Sequence, residues 1–510
     1  MFNKYSHEFH IKLYFYASKT VYFNTHEIIY QKSNSLMNTK SFTLFIILFF
    51  TLQSLNAQKQ WNLEQCINYA LQHNIEIKQQ ELSLEIQEAN VLRSKASMLP
   101  NLTANGSDVI NWGKTVDRYT NQFADSRTNS VNLYLQGSVT LFNGFQLLNS
   151  VKQNVANLKV KEYELDVTKD LKALSVTTAF LQIVYDKENL INKENQVSLS
   201  DKQAKRTQKL VDAGSQAKGD LFNINSQLAS DQAAQINAEN KLNLAMLKLK
   251  QLMDLPGDTT FEIEVPIIEL TENFGGLQDP YKVYSYALKN RPEIKSAEMQ
   301  VETSKKSLSI SKGGVSPSLS FSASLGSGFS GANQILDGSP VFNGFNPNGN
   351  ITSGGDTVLQ PHFTYNYATK SWDDQIIDNR NYSIGFHLTI PIFNGLRTYT
   401  NISQSKIAVK QAELQLEQSK RNMRQTIEQA YADARSSFKQ YEAAKIQVEA
   451  LTEAFTYSEE KFNAGMIDAF EYNSAKIKLD FATSQLLTAK FDYVFRVKVL
   501  DFYYGKPLTL

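Results

Sequence analysis

"LFNGF" at Leu141–Phe145 returns as "IFNGL" at Ile392–Leu396, and each closes a run of alternating residues. In Val131–Phe142, the residues Val131, Leu133, Leu135, Val139 and Leu141 alternate with Asn132, Tyr134, Gln136, Ser138 and Thr140. In Tyr382–Phe393, the residues Tyr382, Ile384, Phe386, Leu388, Ile390 and Ile392 alternate with Ser383, Gly385, His387 and Thr389. Leu319, Phe321, Ala323 and Leu325 alternate with serines, and Leu102 and Ala104 begin a weaker fourth run. A period of two predicts strands, because successive side chains point to opposite faces. Runs of about 9–11 residues, apolar on one face and small and polar on the other, fit a membrane β-barrel strand. A half-buried strand of a soluble sheet carries the same period.

The segment after each triplet narrows the choice. Gln146–Leu210 and Leu396–Phe462 contain no proline or glycine. At 1.5 Å per residue each predicts a helix of roughly 100 Å, too long for a compact domain. In the second, Ile427, Ala434, Tyr441, Val448 and Phe455 recur every seven residues, accompanied by Met423, Ala430, Ser437, Ala444 and Leu451. This is heptad spacing. The corresponding first column of the earlier helix is Val176, Ile183, Leu190, Val197 and Ala204, again apolar. Its second column is mixed: Lys172, Ala179, Asp186, Lys193 and Ser200. The triplet therefore marks a strand turning into a long helix. Phe142 and Phe393 suit an aromatic belt at a membrane face. Asn143 and Asn394 are placed to accept from orphan backbone N–H groups of the helix. Gly144 and Gly395 permit the change of direction.

The chain is two copies of one unit. "YALQHNIEIK" (Tyr69–Lys78) reappears as "YALKNRPEIK" (Tyr286–Lys295), shifted by 217 positions, and Pro100–Leu102 maps onto Pro317–Leu319 at the same shift. Later landmarks shift by 251: Phe142–Gly144 onto Phe393–Gly395, and Ala213–Gly214 onto Ala464–Gly465. A Gly-, Asn- and Ser-rich insertion, residues 326–380, accounts for the difference and reads as an extracellular loop. The predicted organisation is a first repeat over 58–255, a linker over 256–278 and a second repeat over 279–510. Residues 1–57 are read as an upstream extension plus a secretory signal that starts at Met37, with cleavage after Ala57. Its apolar stretch, Phe42–Leu52, is shorter than the roughly 20 residues a spanning helix needs.

Composition excludes several functions. Lys+Arg is 52 and Asp+Glu is 51, so the basic excess of a nucleic-acid binder is missing. Cys66 is the single cysteine, which removes a disulfide framework and a thiol metal cluster; it is expected to pack as a small apolar residue beside Tyr69. The six histidines include no pair at ligand spacing. Gly326–Gly331 spells G-x-G-x-x-G but enters the Gly/Asn-rich segment rather than a helix, so the phosphate-cradling context is absent. Asp373–Asp374 reads as a solvated loop pair. No catalytic, cofactor-binding or metal-binding set is assigned, and no enzyme is expected.

On the tandem repeat, "LFNG" and "PIFNG" at the strand–helix junctions, and "DAGS" and "NAGM" at the helical turns, the chain resembles the TolC-type outer-membrane channel family over about residues 60–505. The resemblance implies an α+β membrane protein: a homotrimer in which each chain gives four strands to one 12-stranded β-barrel, continued by a long α-helical coiled-coil barrel through the periplasm. Four strands alone cannot close a barrel, eight being the usual minimum. The expected function is an exit duct in the outer membrane of a Gram-negative bacterium. It would carry small molecules passively in a tripartite efflux system with a periplasmic adaptor and an inner-membrane transporter. Type I protein secretion and metal-ion export are alternatives, as is a pore-less periplasmic coiled-coil protein. The resemblance places Gly214, Ser215, Gly465 and Met466 at the adaptor-contacting tip. It makes Asp220 and Glu471, each six residues past a turn glycine, candidates for acidic rings at the aperture. Ser474 and Ile467 depart from the family pattern, so a salt-bridge lock of the family type is not expected. The first-copy turn reads as slightly longer than the second, which leaves the register of Asp220 open.

Overall fold

The computed structural model describes residues 60–124, 127–257, 261–266 and 278–509. The expected secretory signal and most of the linker lie outside them. The chain divides into two units. In the smaller one, Trp61 pairs in parallel with Ile263; its N–H donates to Glu262 O at 2.9 Å and its carbonyl accepts from Glu264 N at 3.0 Å.

The larger unit begins with α1 (Leu63–His73) and α2 (Ile75–Ala96), then strands β1 (Asn101–Asn111), β2 (Thr115–Val116), β3 (Phe123–Ala124) and β4 (Thr128–Phe142). Helices α3 (Gln146–Asp212) and α4 (Lys218–Met253) complete the first copy. The second copy opens with α5 (Pro280–Asn290), α6 (Pro292–Gly313) and β5 (Ser318–Ser330). Then come β6 (Gln334–Leu336), β7 (Val341–Ile351), β8 (Thr357–Thr364), β9 (Tyr367–Thr369), α7 (Trp372–Asp378) and β10 (Asn381–Thr389). Helices α8 (Arg397–Asn463) and α9 (Ala469–Tyr503) finish it. Within the larger unit four strands form one antiparallel sheet in the order β1-β4-β5-β10. No helix among the described residues is long and apolar enough to cross a membrane.

Each copy starts with two helices, and the break between them falls inside the repeated decapeptide. In the first copy the Asn74 side chain caps α2 by accepting from Glu76 N at 3.0 Å. In the second, Arg291 is extended and Pro292 takes the first helical position, where its missing N–H costs nothing. The long helices α3 and α8 have 67 residues each and follow the heptad columns. Met423, Ile427, Ala430, Ala434, Ser437, Ala444 and Phe455 are buried, while Tyr441, Val448 and Leu451 are half-buried. In α3 the apolar column is buried at Val176, Ile183 and Ala204, and the mixed column is buried too, at Ala179, Asp186 and Ser200. Ile427 sits in a cluster with Val283, Ala287, Ile294 and Leu500, so the short α5 and α6 clamp the second long helix. Truncating so enclosed a side chain costs about 2–5 kcal/mol.

Three expectations need correction. First, the segment 326–380 is not structureless: β5 continues to Ser330, and β6–β9 and α7 follow. On the β7–β8 pair the Phe342 ring stands against Phe345 and, across the strands, Phe363, with centroids 5.2 and 5.7 Å apart. Gly344 and Gly349, at φ +96° and +83°, lie at its two register shifts; composition alone concealed the strands. Second, β10 ends at Thr389 rather than Phe393. Pro391 lacks the N–H a ladder needs. Third, the two helical turns are the same length, five residues each (213–217 and 464–468), so Asp220 and Glu471 occupy the same register.

Candidate functional site

The sheet has two chemically distinct faces, fixed by cross-strand register. Tyr382, Leu325, Leu135 and Ala104 form one row, and Phe386, Phe321 and Val139 another. The opposite face carries Asn101, Thr103, Gln136, Ser138, Ser320, Ser322, Ser324 and Ser383. Its side chains bond to one another: Ser138 Oγ donates to Asn101 Oδ1 at 2.7 Å, and Ser322 meets His387 Nε2 at 2.8 Å. On the edge strand β10 the apolar residues Tyr382, Ile384, Phe386 and Leu388 are 63–75% exposed. A row of such side chains in water has no compensating interaction.

At the end of the sheet away from the long helices, the β1–β4 connection folds over the polar face. Tyr119 Oη donates to Asn132 Oδ1 at 2.9 Å and occupies space that a Cβ at Gly328 would need. Asp117 is buried beneath it. Burial pushes its carboxyl up, but hydrogen bonds from Ser330, Thr120 and Tyr119 outweigh this and hold it below the ordinary carboxylate value.

The two junctions have matching geometry. Gly144 and Phe145 both adopt left-handed backbone, φ +65° and +61°, as do Gly395 and Leu396, φ +63° and +62°. The N-cap positions are thus Phe145 and Leu396, not the asparagines. Asn143 and Asn394 still supply the acceptor, reaching past the cap: Leu147 N–H donates to Asn143 Oδ1 at 3.3 Å, and Thr398 N–H to Asn394 Oδ1 at 3.5 Å. Just before the first junction a β-bulge sets Leu141 and Phe142 against the single residue Leu319. Phe142 stands edge-on to Phe145, with centroids 5.4 Å apart. Phe393 is 80% exposed.

The tips are two Schellman turns. Gly214 N donates to Val211 O and Ser215 N to Leu210 O; Gly465 N donates to Phe462 O and Met466 N to Lys461 O. Both glycines have φ +74°, so a side chain at either would be strained. Gly214, Ser215, Gly465 and Met466 are all exposed. Asp220 and Glu471 each fall third in the descending helix, where a carboxylate meets the positive end of the helix dipole. Asp220 is half-buried and Glu471 exposed. Glu471 lines a groove of about 390 Å³ between α8 and α9, with Lys461, Ile467, Phe470, Ser474 and Lys478.

Above the tips lies a polar cluster that the sequence pattern did not reveal. Lys476 Nζ, on α9, meets Asp231 Oδ2 on α4 at 2.5 Å and donates to Ser200 Oγ on α3 at 2.7 Å; Ser200 Oγ also donates to Asp231. Lys476 is 1% exposed and Asp231 6%. Asp480 stands 3.6 Å from Lys476. Burial raises its carboxyl, which Asp231 reinforces and Lys476 only partly offsets. The signal was a charge in an apolar column: Ile224, Asp231, Ala238 and Ala245 recur every seven residues and are all buried. Elsewhere, Cys66 is fully buried and unpaired in any disulfide, and burial pushes its thiol up to about 12.

Comparison with known proteins agrees with this layout. The model of the family "Outer membrane efflux protein" matches residues 66–254 and 283–506, one segment per copy. Outer membrane efflux protein BepC of Brucella suis biovar 1 (strain 1330) is 22% identical over 382 residues, 75% of this chain and 70% of that protein. The crystal structure of CusC superposes with a TM-score of 0.70 at 16% identity, covering 89% of this chain and 96% of that one. VceC from Vibrio cholerae superposes at 0.67 and 15% identity, covering 88% and 96%. The chain belongs to the outer membrane efflux protein family and is an outer-membrane efflux channel of a tripartite system.

Proposed function

We propose that three copies of this chain build one passive duct: a 12-stranded barrel continued by a helical tunnel, with no catalytic step. The observation that carries this is the inequality of two equivalent joints. Inside the chain, β4 of the first copy pairs with β5 of the second. The internal repeat makes β10 the counterpart of β4 and β1 the counterpart of β5, yet both are unpaired edges. Long bare edges are templates for a further strand. The junctions repeat the asymmetry. A Cβ at Gly144 would lie 2.4 Å from Gly313 O and 2.6 Å from Ser316 Cβ, whereas Gly395 has nothing within 4 Å. The counterparts of Gly313 and Ser316 are Ala96 and Leu99, and Leu99 is 66% exposed. A neighbouring copy supplies them.

In that assembly the polar face lines a wet path and the apolar face meets lipid. The exposed turns at Gly214, Ser215, Gly465 and Met466, with the groove beside Glu471, receive a periplasmic adaptor. Asp220 and Glu471 form acidic rings that favour cations, as charged rings do in other pores. The cargo is small molecules handed over by an inner-membrane transporter.

The test uses a cross-link. Ser138 faces Ser322 in the internal joint; their counterparts at the intermolecular joint are Thr389 and Asn105. The double variant N105C/T389C is expected to form disulfide-linked trimers on a non-reducing gel, while each single variant stays monomeric. A ladder that stops at dimers, or no ladder from protein that conducts in bilayers, refutes the arrangement.

A further inference from the structure

A groove of about 490 Å³ lies where α7 crosses the sheet. Its floor and walls are two neighbouring cross-strand rows of the apolar face: Ala104, Leu135 and Leu325, then Gly106 and Leu133. The small residues belong to β1, and the leucines stand beside them. Its roof is Ile376, and Arg380 stands at its rim.

The roof is fixed. Ser327 Oγ donates to Ile376 O at 2.6 Å, Asn379 Nδ2 donates to Gly328 O at 2.8 Å, and Trp372 packs on Phe329 with centroids 5.2 Å apart. Gln375 is fully buried and exchanges hydrogen bonds with the Ser330 backbone at 2.9 and 3.0 Å. Arg380 Nε donates to Ile377 O at 2.8 Å. That bond orients the guanidinium, and its terminal nitrogens have no protein acceptor among the described residues. The acids nearest in sequence are engaged: Asp378 pairs with Lys370, and Asp374 accepts from Ser371 Oγ at 2.7 Å.

An apolar trough with one oriented cation at its mouth matches a ligand with a hydrocarbon tail and an anionic head. The membrane supplies such a ligand. The groove opens on the apolar face, from the middle of β4 toward the end of the sheet opposite the long helices, where α7 packs Trp372 on Phe329; Trp372 and Ile377 are 43% and 54% exposed. Tryptophan at this depth suits the headgroup boundary. Another copy is a poorer occupant, because it would add strands in the plane of the sheet, beyond β1 or β10, rather than over β4.

We propose that this groove binds an acyl chain of an anionic lipid in the outer leaflet, with Arg380 on the headgroup phosphate. The proposal rests on the reading that the apolar face meets the bilayer. Full-length protein, W372F and R380Q would each be reconstituted in phosphatidylcholine vesicles. These would contain brominated-acyl phosphatidylglycerol or brominated-acyl phosphatidylcholine at equal mole fraction. The fluorescence lost between wild type and W372F isolates Trp372. Its quenching should show a roughly fivefold preference for the anionic lipid, the weight of one surface cation near anionic headgroups, and R380Q should abolish that preference. Equal quenching by both lipids, preference surviving in R380Q, or no quenching by either in protein that conducts ions overturns the lipid site alone. Failure to insert and conduct at all sinks the membrane reading and this site with it.

Discussion

Gly144 and Gly395 look alike in sequence and in backbone, yet they differ in what surrounds them. Both hold left-handed φ, which costs an L-residue about 1–2 kcal/mol. Only Gly144 is closed in by its own chain. In an isolated protomer G144V should therefore be much the worse variant. In the proposed trimer Ala96 and Leu99 of a neighbour close on Gly395, so G395V should damage assembly as severely. The temperature at which trimers dissociate on a gel, compared for the two variants, decides between these. Phe145 and Leu396 bear the same strain without being glycine. Asparagine and glycine announced a turn; nothing in residue type announced that the next position would also be left-handed, because only the strand and helix directions on either side impose it.

At the scale of the helices, burial of polar groups within heptad columns makes the testable claims. Lys476 bonds α9 to α3 and α4 at once. Removing one partner of a buried pair costs about 3–5 kcal/mol, while replacing both with apolar residues is often neutral. K476M alone should lower the midpoint of heat unfolding, read by helix circular dichroism, and D231L/K476M should recover most of the loss. Asp186 gives a different outcome. It is 3% exposed, and burial raises its carboxyl; Gln182 Nε2, which donates at 3.0 Å, and Lys241 on α4 offset this only in part. A raised carboxyl in the folded state means that stability from this group is present at low pH and lost as pH rises through the folded value. D186N removes that loss. It should raise the unfolding midpoint at neutral pH, with the gain shrinking as pH falls and vanishing below the ordinary carboxylate value. A gain that is constant with pH would assign the effect to packing.

For the assembled molecule the claim concerns charge at the narrow end. Asp220 and Glu471 share one register, so the proposed trimer would place six carboxylates around its aperture. In a bilayer with a salt gradient, E471Q and D220N should each move the reversal potential toward zero, and the double variant further. No change in either would make them solvated charges at helix starts and nothing more. Lys461 and Lys478 beside Glu471 are the internal control: substituting them should shift selectivity the opposite way.

By itself the sequence determined the repeat, the four alternating strands, the two long heptad helices and the turn glycines. These are short-range periods, and a period of two or of seven needs no knowledge of distant neighbours. It also held the junction triplets, because a cap and a turn are local chemistry. Tertiary structure alone decided the rest. It brought Ser200, Asp231 and Lys476 together across as many as 276 positions. It made strands and a docked helix of a stretch whose glycines and asparagines read as loop. It separated Gly144 from Gly395 by what stands beside them, and left β1 and β10 bare. Contacts of that reach depend on how rods and sheet pack in space, and packing is set by the summed fit of many side chains rather than by any local spacing.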